Sequence, residues 1–240
     1  MMKILQWNIW FKDCLNNLDK IIAELKRFDA DICCLQEVEY INDAAHLQPL
    51  WDLYPYHYFA TADTNDEGAV WGSCILSRYP IISEKKIFIQ EKDTARPESY
   101  DNENRIYAEC DIDVNGQVFS VGTTHSSYTH RIEETAAKDI EIEKLIDIIK
   151  MKKSNYIIAG DFNIVPASKY ITRIEQYLKN LGPEYSENTW ATKPFSYNGF
   201  EVSELSYRLD YIFGTSDIKL VKAEILHTNS SDHLPILVKI

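Results

Sequence analysis

Two short segments gather side chains that could handle a phosphate or a metal ion: Gly160-Asp161-Phe162-Asn163 and Ser231-Asp232-His233. The first follows the apolar run Tyr156-Ile157-Ile158-Ala159, which reads as a strand buried on both faces. Gly160 lets the backbone bend or approach a ligand closely, Asp161 and Asn163 place polar groups two residues apart, and Pro166 stops the strand. An ordinary turn would use the same Asp and Asn for bonds to their own backbone. His233 immediately precedes a terminal apolar run, and Asp210, set among apolar residues, is a candidate acid to orient it. An aspartate accepting from one imidazole nitrogen fixes the tautomer and leaves the other nitrogen to act on water or phosphate. Glu37 closes another apolar run; with help from Asn8 or Asp232 it offers hard oxygen ligands suited to Mg²⁺ or Mn²⁺. His125 and Asn163 can donate to phosphoryl oxygens. Carboxylate, metal, imidazole and amide together describe hydrolysis at a phosphoester.

These groups must be delivered by strand ends. Lys3–Ile9 reads as a strand, Cys14–Phe28 as a helix with Leu15, Leu18, Ile21, Ile22 and Leu25 on one face, and Asp31–Glu37 as a second buried strand. A right-handed crossover makes the two strands parallel and brings Asn8 beside Glu37. The pattern returns later: Asn115-Gly116 predicts a type I′ hairpin between Tyr107–Val114 and Gln117–Thr124, a helix spans Arg131–Lys150, and the Tyr156 strand follows. This weak internal repeat predicts two sheets packed face to face, helices outside, and polar strand ends at one rim. Between the halves, Tyr56–Thr61, Trp71–Ser77 and Ile81–Ile89 are spaced as an antiparallel meander, and Glu91–Asn104 is a polar loop that either contacts substrate or is merely solvated. Ala167–Leu181 is expected to be helical, Glu184–Glu204 irregular with Trp190, Phe195, Tyr197 and Phe200, Tyr207–Phe213 a strand containing the charge pair Arg208 and Asp210, and Leu234–Ile240 the last strand.

With 240 residues and 45% hydrophobic content the chain is long enough for one domain, 1–240, with a sizeable core. Cys14, Cys33, Cys34, Cys74 and Cys110 lack paired C-x-x-C spacing, which argues for buried thiols in a reducing compartment over a disulfide framework or zinc cluster. The start is too polar for a secretory segment and no later run is long enough to span a bilayer, so the expectation is a soluble, cytoplasmic monomer without membrane insertion. A net charge of −12 argues against tight non-specific binding to nucleic acid, while leaving room for a local basic patch.

Gln6-Trp7-Asn8, Leu35-Gln36-Glu37-Val38, Gly160-Asp161-Phe162-Asn163, Arg208-Leu209-Asp210-Tyr211 and Ser231-Asp232-His233-Leu234-Pro235 resemble, in order, the motifs of the endonuclease/exonuclease/phosphatase superfamily. That superfamily includes exonuclease III-like nucleases, DNase I, neutral sphingomyelinases, inositol polyphosphate 5-phosphatases, deadenylases and 5′-tyrosyl-DNA phosphodiesterases. The resemblance implies an α/β fold of the DNase I type, a four-layer sandwich of two mixed β-sheets flanked by helices, and a Mg²⁺-dependent phosphoesterase. It implies that Glu37 is the principal metal ligand with Asn8 beside it and that Asp161 handles a proton on the attacking water or leaving group. It also implies that Asn163 holds the phosphate and that Asp210 partners His233. Arg208, Trp190 and Trp10 complete the candidate set as substrate contacts.

Thr123-Thr124-His125-Ser126 stands where abasic-site nucleases usually carry a tyrosine motif, and Trp10 where they carry an acid. Both departures argue against abasic endonuclease activity. The remaining readings are nucleic-acid end processing, weighted slightly by the absence of a membrane element, and hydrolysis of a small-molecule or lipid headgroup phosphoester. The alternative of another class is a non-catalytic binding protein on the same fold.

Overall fold

The computed structural model describes residues 1–96 and 99–240, with backbone alone for residues 11–16; Cys14, expected as a buried thiol, and Leu15, expected on the apolar helical face, lie outside the described side chains. In chain order the elements begin β1 (Lys3–Asn8), α1 (Phe11–Phe28), β2 (Ile32–Ile41), α2 (Gln48–Leu53), β3 (Tyr56–Thr64), β4 (Ala69–Ser77) and β5 (Ile81–Gln90). They continue β6 (Arg105–Val114), β7 (Gln117–His125), α3 (Ala136–Lys150), β8 (Tyr156–Asp161), α4 (Lys169–Ile174) and β9 (Lys179–Asn180). The last are β10 (Phe195–Tyr197), β11 (Phe200–Val202), β12 (Asp210–Gly214), β13 (Lys222–Ile225) and β14 (Ile236–Lys239).

Two six-stranded sheets result, ordered β13-β14-β1-β2-β4-β3 and β5-β6-β7-β8-β12-β9. Each has a parallel pair at its centre, β1 with β2 and β7 with β8, crossed over by a helix. Antiparallel strands complete both sheets. The internal repeat read from sequence is therefore present as two equivalent half-molecules.

Alternation along the strands builds the layers. From sheet one, Leu5, Trp7, Cys33 and Leu35 face outward onto Ile21, Ile22, Leu25 and Phe28 of α1. From sheet two, Tyr156, Ile158, Tyr211 and Phe213 face outward onto Ile142, Leu145, Ile146 and Ile149 of α3 and the apolar side of α4. The inward rows, Ile4, Ile32, Cys34 and Ile75 against Val121, Ile157, Ala159 and Ile212, make the core between the sheets. Cys33, Cys34, Cys74 and Cys110 are buried free thiols in these layers.

Several boundaries differ from the sequence reading. The expected meander is split, because β5 leaves β3 and β4 after Arg78-Tyr79-Pro80 and pairs with β6 in the other sheet. The long helix starts at Ala136, where the Thr135 hydroxyl accepts from the Lys138 N–H as an N-cap. The helix expected over 167–181 is only the six residues of α4, since the chain returns to sheet two as β9. Asn198 (φ 47°) and Gly199 (φ 76°) turn a short β10–β11 hairpin in the aromatic stretch expected to be irregular. Asn115 (φ 54°) and Gly116 (φ 90°) have the left-handed backbone that a type I′ turn requires. Among the described residues no helix is long and apolar enough to cross a membrane.

Candidate active site

Each inward row changes from apolar to polar at one edge of the sandwich. Ile4 gives way to Gln6 and Asn8 on β1, Ile157 and Ala159 to Asp161 on β8, and Val121 to Thr123 and His125 on β7. β12 runs antiparallel to β8, so Asp210 at its beginning pairs with Asp161 at the end of β8. His233 arrives at the same edge just before β14, antiparallel to β1. Parallel and antiparallel strands therefore deliver opposite ends to one rim.

Glu37 does not close its strand as expected. β2 continues to Ile41 through a bulge between Leu35 and Val38, where Glu37 has φ 55°. The extra residue resets the alternation. Gln36 reaches Thr123 Oγ1 of sheet two at 2.9 Å, Glu37 opens into the cleft, and Val38 returns to the outer core.

Asn8 Nδ2 donates to Glu37 Oε1 and to Asp161 Oδ2, both at 3.0 Å. Its Oδ1 accepts the Trp10 backbone N–H at 3.0 Å, which fixes the sense of the amide. Asn8 thus holds two carboxylates with its NH₂ group. Asp161 Oδ1 accepts the Asn163 N–H at 2.9 Å, and Asn163, at φ 49°, donates from Nδ2 to Ser126 O at 3.0 Å. The left-handed turn brings the Asn163 amide to 3.4 Å from His125 Nε2.

His233 sits among carboxylates. Its Nδ1 is 2.8 Å from Asp210 Oδ2 and its Nε2 is 3.6 Å from Asp161 Oδ2. Burial alone would lower its pKa, but Asp210, Asp161 and Asp232 together raise it well above the ordinary histidine value, so these charges favour the protonated ring. Burial pushes the Asp161 carboxyl up to about 7, with His233 opposing the shift and Asp210 adding to it. His125 behaves oppositely: burial first, then the charges of Arg105, His233 and Lys138, hold it well below the usual histidine range.

Trp10, Glu37, His125, Asp161, Asn163, Trp190, Asp232 and His233 line a cleft of about 620 Å³. Asn8 and Asp210 stand behind this lining, 1% and 0% exposed. Asp232 Oδ2 accepts the Trp190 indole N–H at 3.1 Å, and Lys193 Nζ lies 4.1 Å over the Trp10 ring.

A family model for the endonuclease/exonuclease/phosphatase family matches residues 5–233. The chain belongs to this family. An endonuclease/exonuclease/phosphatase from Beutenbergia cavernae has a similar structure at TM-score 0.79 and 18% identity, covering 99% of this chain and 70% of that one. The mannosyl-6-phosphatase Bt3783 of Bacteroides thetaiotaomicron superposes at TM-score 0.71 and 16% identity over 100% and 99% of the two chains. The beta toxin of Staphylococcus aureus gives 0.69 and 19% over 100% and 99%. At such identities these structures speak for the fold, the DNase I-like sandwich expected from the motifs. A search among curated proteins finds no significant match.

Members of the endonuclease/exonuclease/phosphatase family are generally metal-dependent hydrolases of phosphoesters, and the donor set here fits a hard dication. Glu37, Glu39, Asp161 and Asp232 all line the cleft, and burial together with the Glu37 charge raises the Glu39 carboxyl above its ordinary value. Carboxylates gathered in one cleft offer oxygen ligands of the kind a hard dication takes. Asp161, Asp210 and His233 also bring ligand atoms within 4.8 Å of one another, and within this trio His233 Nδ1 and Asp210 are already joined by a hydrogen bond.

Arg208 is not a substrate contact. Its guanidinium is buried behind the cleft and binds backbone carbonyls, Nε to Asp210 O at 2.6 Å and Nη1 to Glu187 O at 3.0 Å, fixing the start of β12. The expected Arg208–Asp210 charge pair is replaced by Gln6 Nε2, which reaches Asp210 Oδ1 at 2.8 Å from the other sheet.

Sequence reasoning gave no role to Gln6 and Gln36 and did not single out Glu39, Arg105, Lys138 or Glu141. Gln6 and Gln36 were legible as polar residues on inward strand positions; the rest carry no local signal. Lys138, on α3, donates to Ser127 O at 2.8 Å and Phe162 O at 3.0 Å, while Glu141 accepts the Ser127 N–H at 3.0 Å. One helix turn thereby pins the loops that follow His125 and Asp161.

Proposed function

We propose that this chain is a metal-dependent hydrolase of a compact phosphoester, one whose other half is a small polar or polyhydroxylated group. The observation that carries this reading is the charge of the cleft. Its lining holds the carboxylates of Glu37, Glu39, Asp63, Glu103, Asp161 and Asp232 against the cations of Lys92, Arg105, Lys193 and the protonated His233. A polynucleotide needs a basic track along its backbone, so the slight weighting toward nucleic acid in the sequence reading gives way to the small-molecule reading. Contacts of Tyr100 with Tyr128 and Tyr197, at 5.9 and 4.9 Å between ring centroids, join the loop before β6, the loop after β7 and the β10–β11 hairpin, bounding the cleft on that side. Aromatic faces beside carboxylates suit a polyhydroxylated group.

Glu37 and Asp232 would hold the ion, which when bound supplies neutralising charge to the phosphoryl group. His233, kept protonated by Asp210, donates from Nε2 to a phosphoryl oxygen and stabilises its developing charge. Asp161, raised toward neutrality and fixed by Asn8 and the Asn163 N–H, accepts the proton of the attacking water as the P–O bond to the alcohol breaks, and the departing oxygen takes a proton from solvent. His125 and the Asn163 amide, adjacent at 3.4 Å, donate to the remaining oxygens.

The test is turnover under Mg²⁺, with and without EDTA, on sugar phosphates, inositol phosphates, sphingomyelin, abasic duplex, 5′-tyrosyl DNA and poly(A). EDTA-sensitive hydrolysis should be fastest on a sugar or inositol phosphate. A nucleic acid as the fastest substrate overturns the compact-substrate reading, and no turnover with either Mg²⁺ or Mn²⁺ favours a binding protein on the same fold.

A further inference from the structure

Arg105 opens β6 just after the polar loop 91–104, two residues before Tyr107, whose register partner on β7 is Thr124. That places it beside the end of β7, where His125 stands. Its Nη1 lies 3.2 Å from His125 Nδ1. A guanidinium has donors only, so Nδ1 must present its lone pair, and a neutral ring then carries its hydrogen on Nε2. That nitrogen is 3.7 Å from Glu37 Oε1 and 3.6 Å from Asp161 Oδ2, and 3.4 Å from Asn163 Nδ2, an amide that also donates to Ser126 O at 3.0 Å. The opposite tautomer would let Nε2 accept from the Asn163 amide, but it would set N–H against N–H at the nearer, charged Arg105 donor and turn the Nε2 lone pair toward two carboxylates, so the ionised neighbours favour Nε2–H. The second terminal nitrogen of the same guanidinium, Nη2, donates to Glu103 Oε2 at 2.6 Å and to Tyr100 O at 3.3 Å, both on cleft-lining residues. Arg105 itself is only 7% exposed, so this fork is shielded from water.

We infer that Arg105 is a positioning residue, which holds His125 in the Nε2–H tautomer as a neutral donor to phosphate and ties it to the loop walling the cleft. The catalytic part of this statement rests on the phosphoesterase reading; the tautomer does not. A bidentate arginine suits the task because its planar fork reaches the imidazole with one nitrogen and the loop with the other. Lysine, a point charge with one nitrogen, cannot bridge the two in the same way.

Long-range ¹H–¹⁵N correlation spectra of the whole protein at pH 7.5, with His125 assigned through His125→Gln, read the tautomer directly. The wild type should show a protonated Nε2 and a bare Nδ1. Arg105→Gln, whose amide can still donate, should keep that pattern; Arg105→Met should populate Nδ1–H. In steady-state assays with Mg²⁺ on the best substrate of the panel, Arg105→Met should lower kcat roughly 10–100-fold, as loss of a partner that orients a histidine commonly does. KM should move less, and Arg105→Gln should recover most of kcat. Glu103→Gln should raise KM while leaving the His125 spectrum as it is. Protonated Nδ1 in the wild type, or an unchanged His125 spectrum in Arg105→Met whatever happens to the rate, overturns the inference. Should Arg105→Met fail to fold, the wild-type and Arg105→Gln spectra decide. Absence of turnover on every phosphoester would sink the hydrolase reading while leaving the tautomer result standing.

Discussion

Asp210 has no exposure to solvent, and each of its carboxylate oxygens has a partner: Gln6 Nε2 at 2.8 Å on Oδ1 and His233 Nδ1 at 2.8 Å on Oδ2. Asp210→Asn keeps the shape, but its NH₂ must then face one of two groups that donate, so His233 loses the charge partner that favours its protonated form. The expected loss is on the order of 10²–10⁴ in kcat/KM, with Mg²⁺ affinity retained because Asp210 lies behind the cleft lining. Residues acting as one unit are strongly non-additive. The double variant Asp210→Asn/His233→Ala should therefore be little worse than His233→Ala alone. Kinetics of both singles and the double at saturating Mg²⁺ check this; multiplicative losses would show that the two act independently.

At the level of elements, α3 clamps the active-site loops through a lysine in the core. Lys138 Nζ is 3.5 Å from Glu141 and bonds the Ser127 and Phe162 carbonyls. Lys138→Met leaves a buried carboxylate and two carbonyls without that partner, which should cost about 3–5 kcal/mol of stability. The lysine also carries a pH signature. Burial lowers its pKa from 10.5 to about 8, with Glu141 opposing the shift. Between those values the unfolded chain binds more protons at this site than the folded one, so the lysine's contribution to stability rises with pH across that window. Urea denaturation at several pH values should find the deficit of Lys138→Met widening from pH 8 toward 10.5. A flat difference would mean that Lys138 is not desolvated in the folded protein.

For the molecule as a whole, net charge and cleft charge point the same way. The chain carries −12 overall, and carboxylates outnumber cations in the cleft. A compact substrate neutralised through a metal should show kcat/KM nearly independent of NaCl between 50 and 200 mM, whereas a polynucleotide held by its phosphates loses affinity by powers of ten over that range. A steep salt slope on the best substrate would argue for the polymer. A Mg²⁺ site on the cleft carboxylates, with Glu37 as a ligand, also predicts that Mg²⁺ raises Tm. Saturation at about 100 times Kd corresponds to about 2.7 kcal/mol. Glu37→Gln should lose most of that thermal shift while staying folded, and an unchanged shift would remove Glu37 from the ligand set.

Strand, helix, strand patterns and residue order were enough to establish the two half-molecules, the hairpin at Asn115-Gly116 and the set of polar groups at strand ends, because alternation and turn chemistry are local properties of the chain. Family membership followed from the same short motifs. What the sequence could not state is which sheet a strand joins, and this decided much of the site. β5 crosses to the second sheet, so the polar loop after it reaches the cleft and brings Arg105 against His125. The bulge in β2 is invisible in Leu35-Gln36-Glu37-Val38, yet it lets Gln36 bond the other sheet while Glu37 faces the cleft. Arg208 and Asp210 look like a pair two residues apart, but the other sheet supplies Gln6 to the carboxylate, and the guanidinium turns to backbone carbonyls. In each case a long-range packing choice, the closing of one sheet onto another, selected among partners that local sequence leaves equivalent.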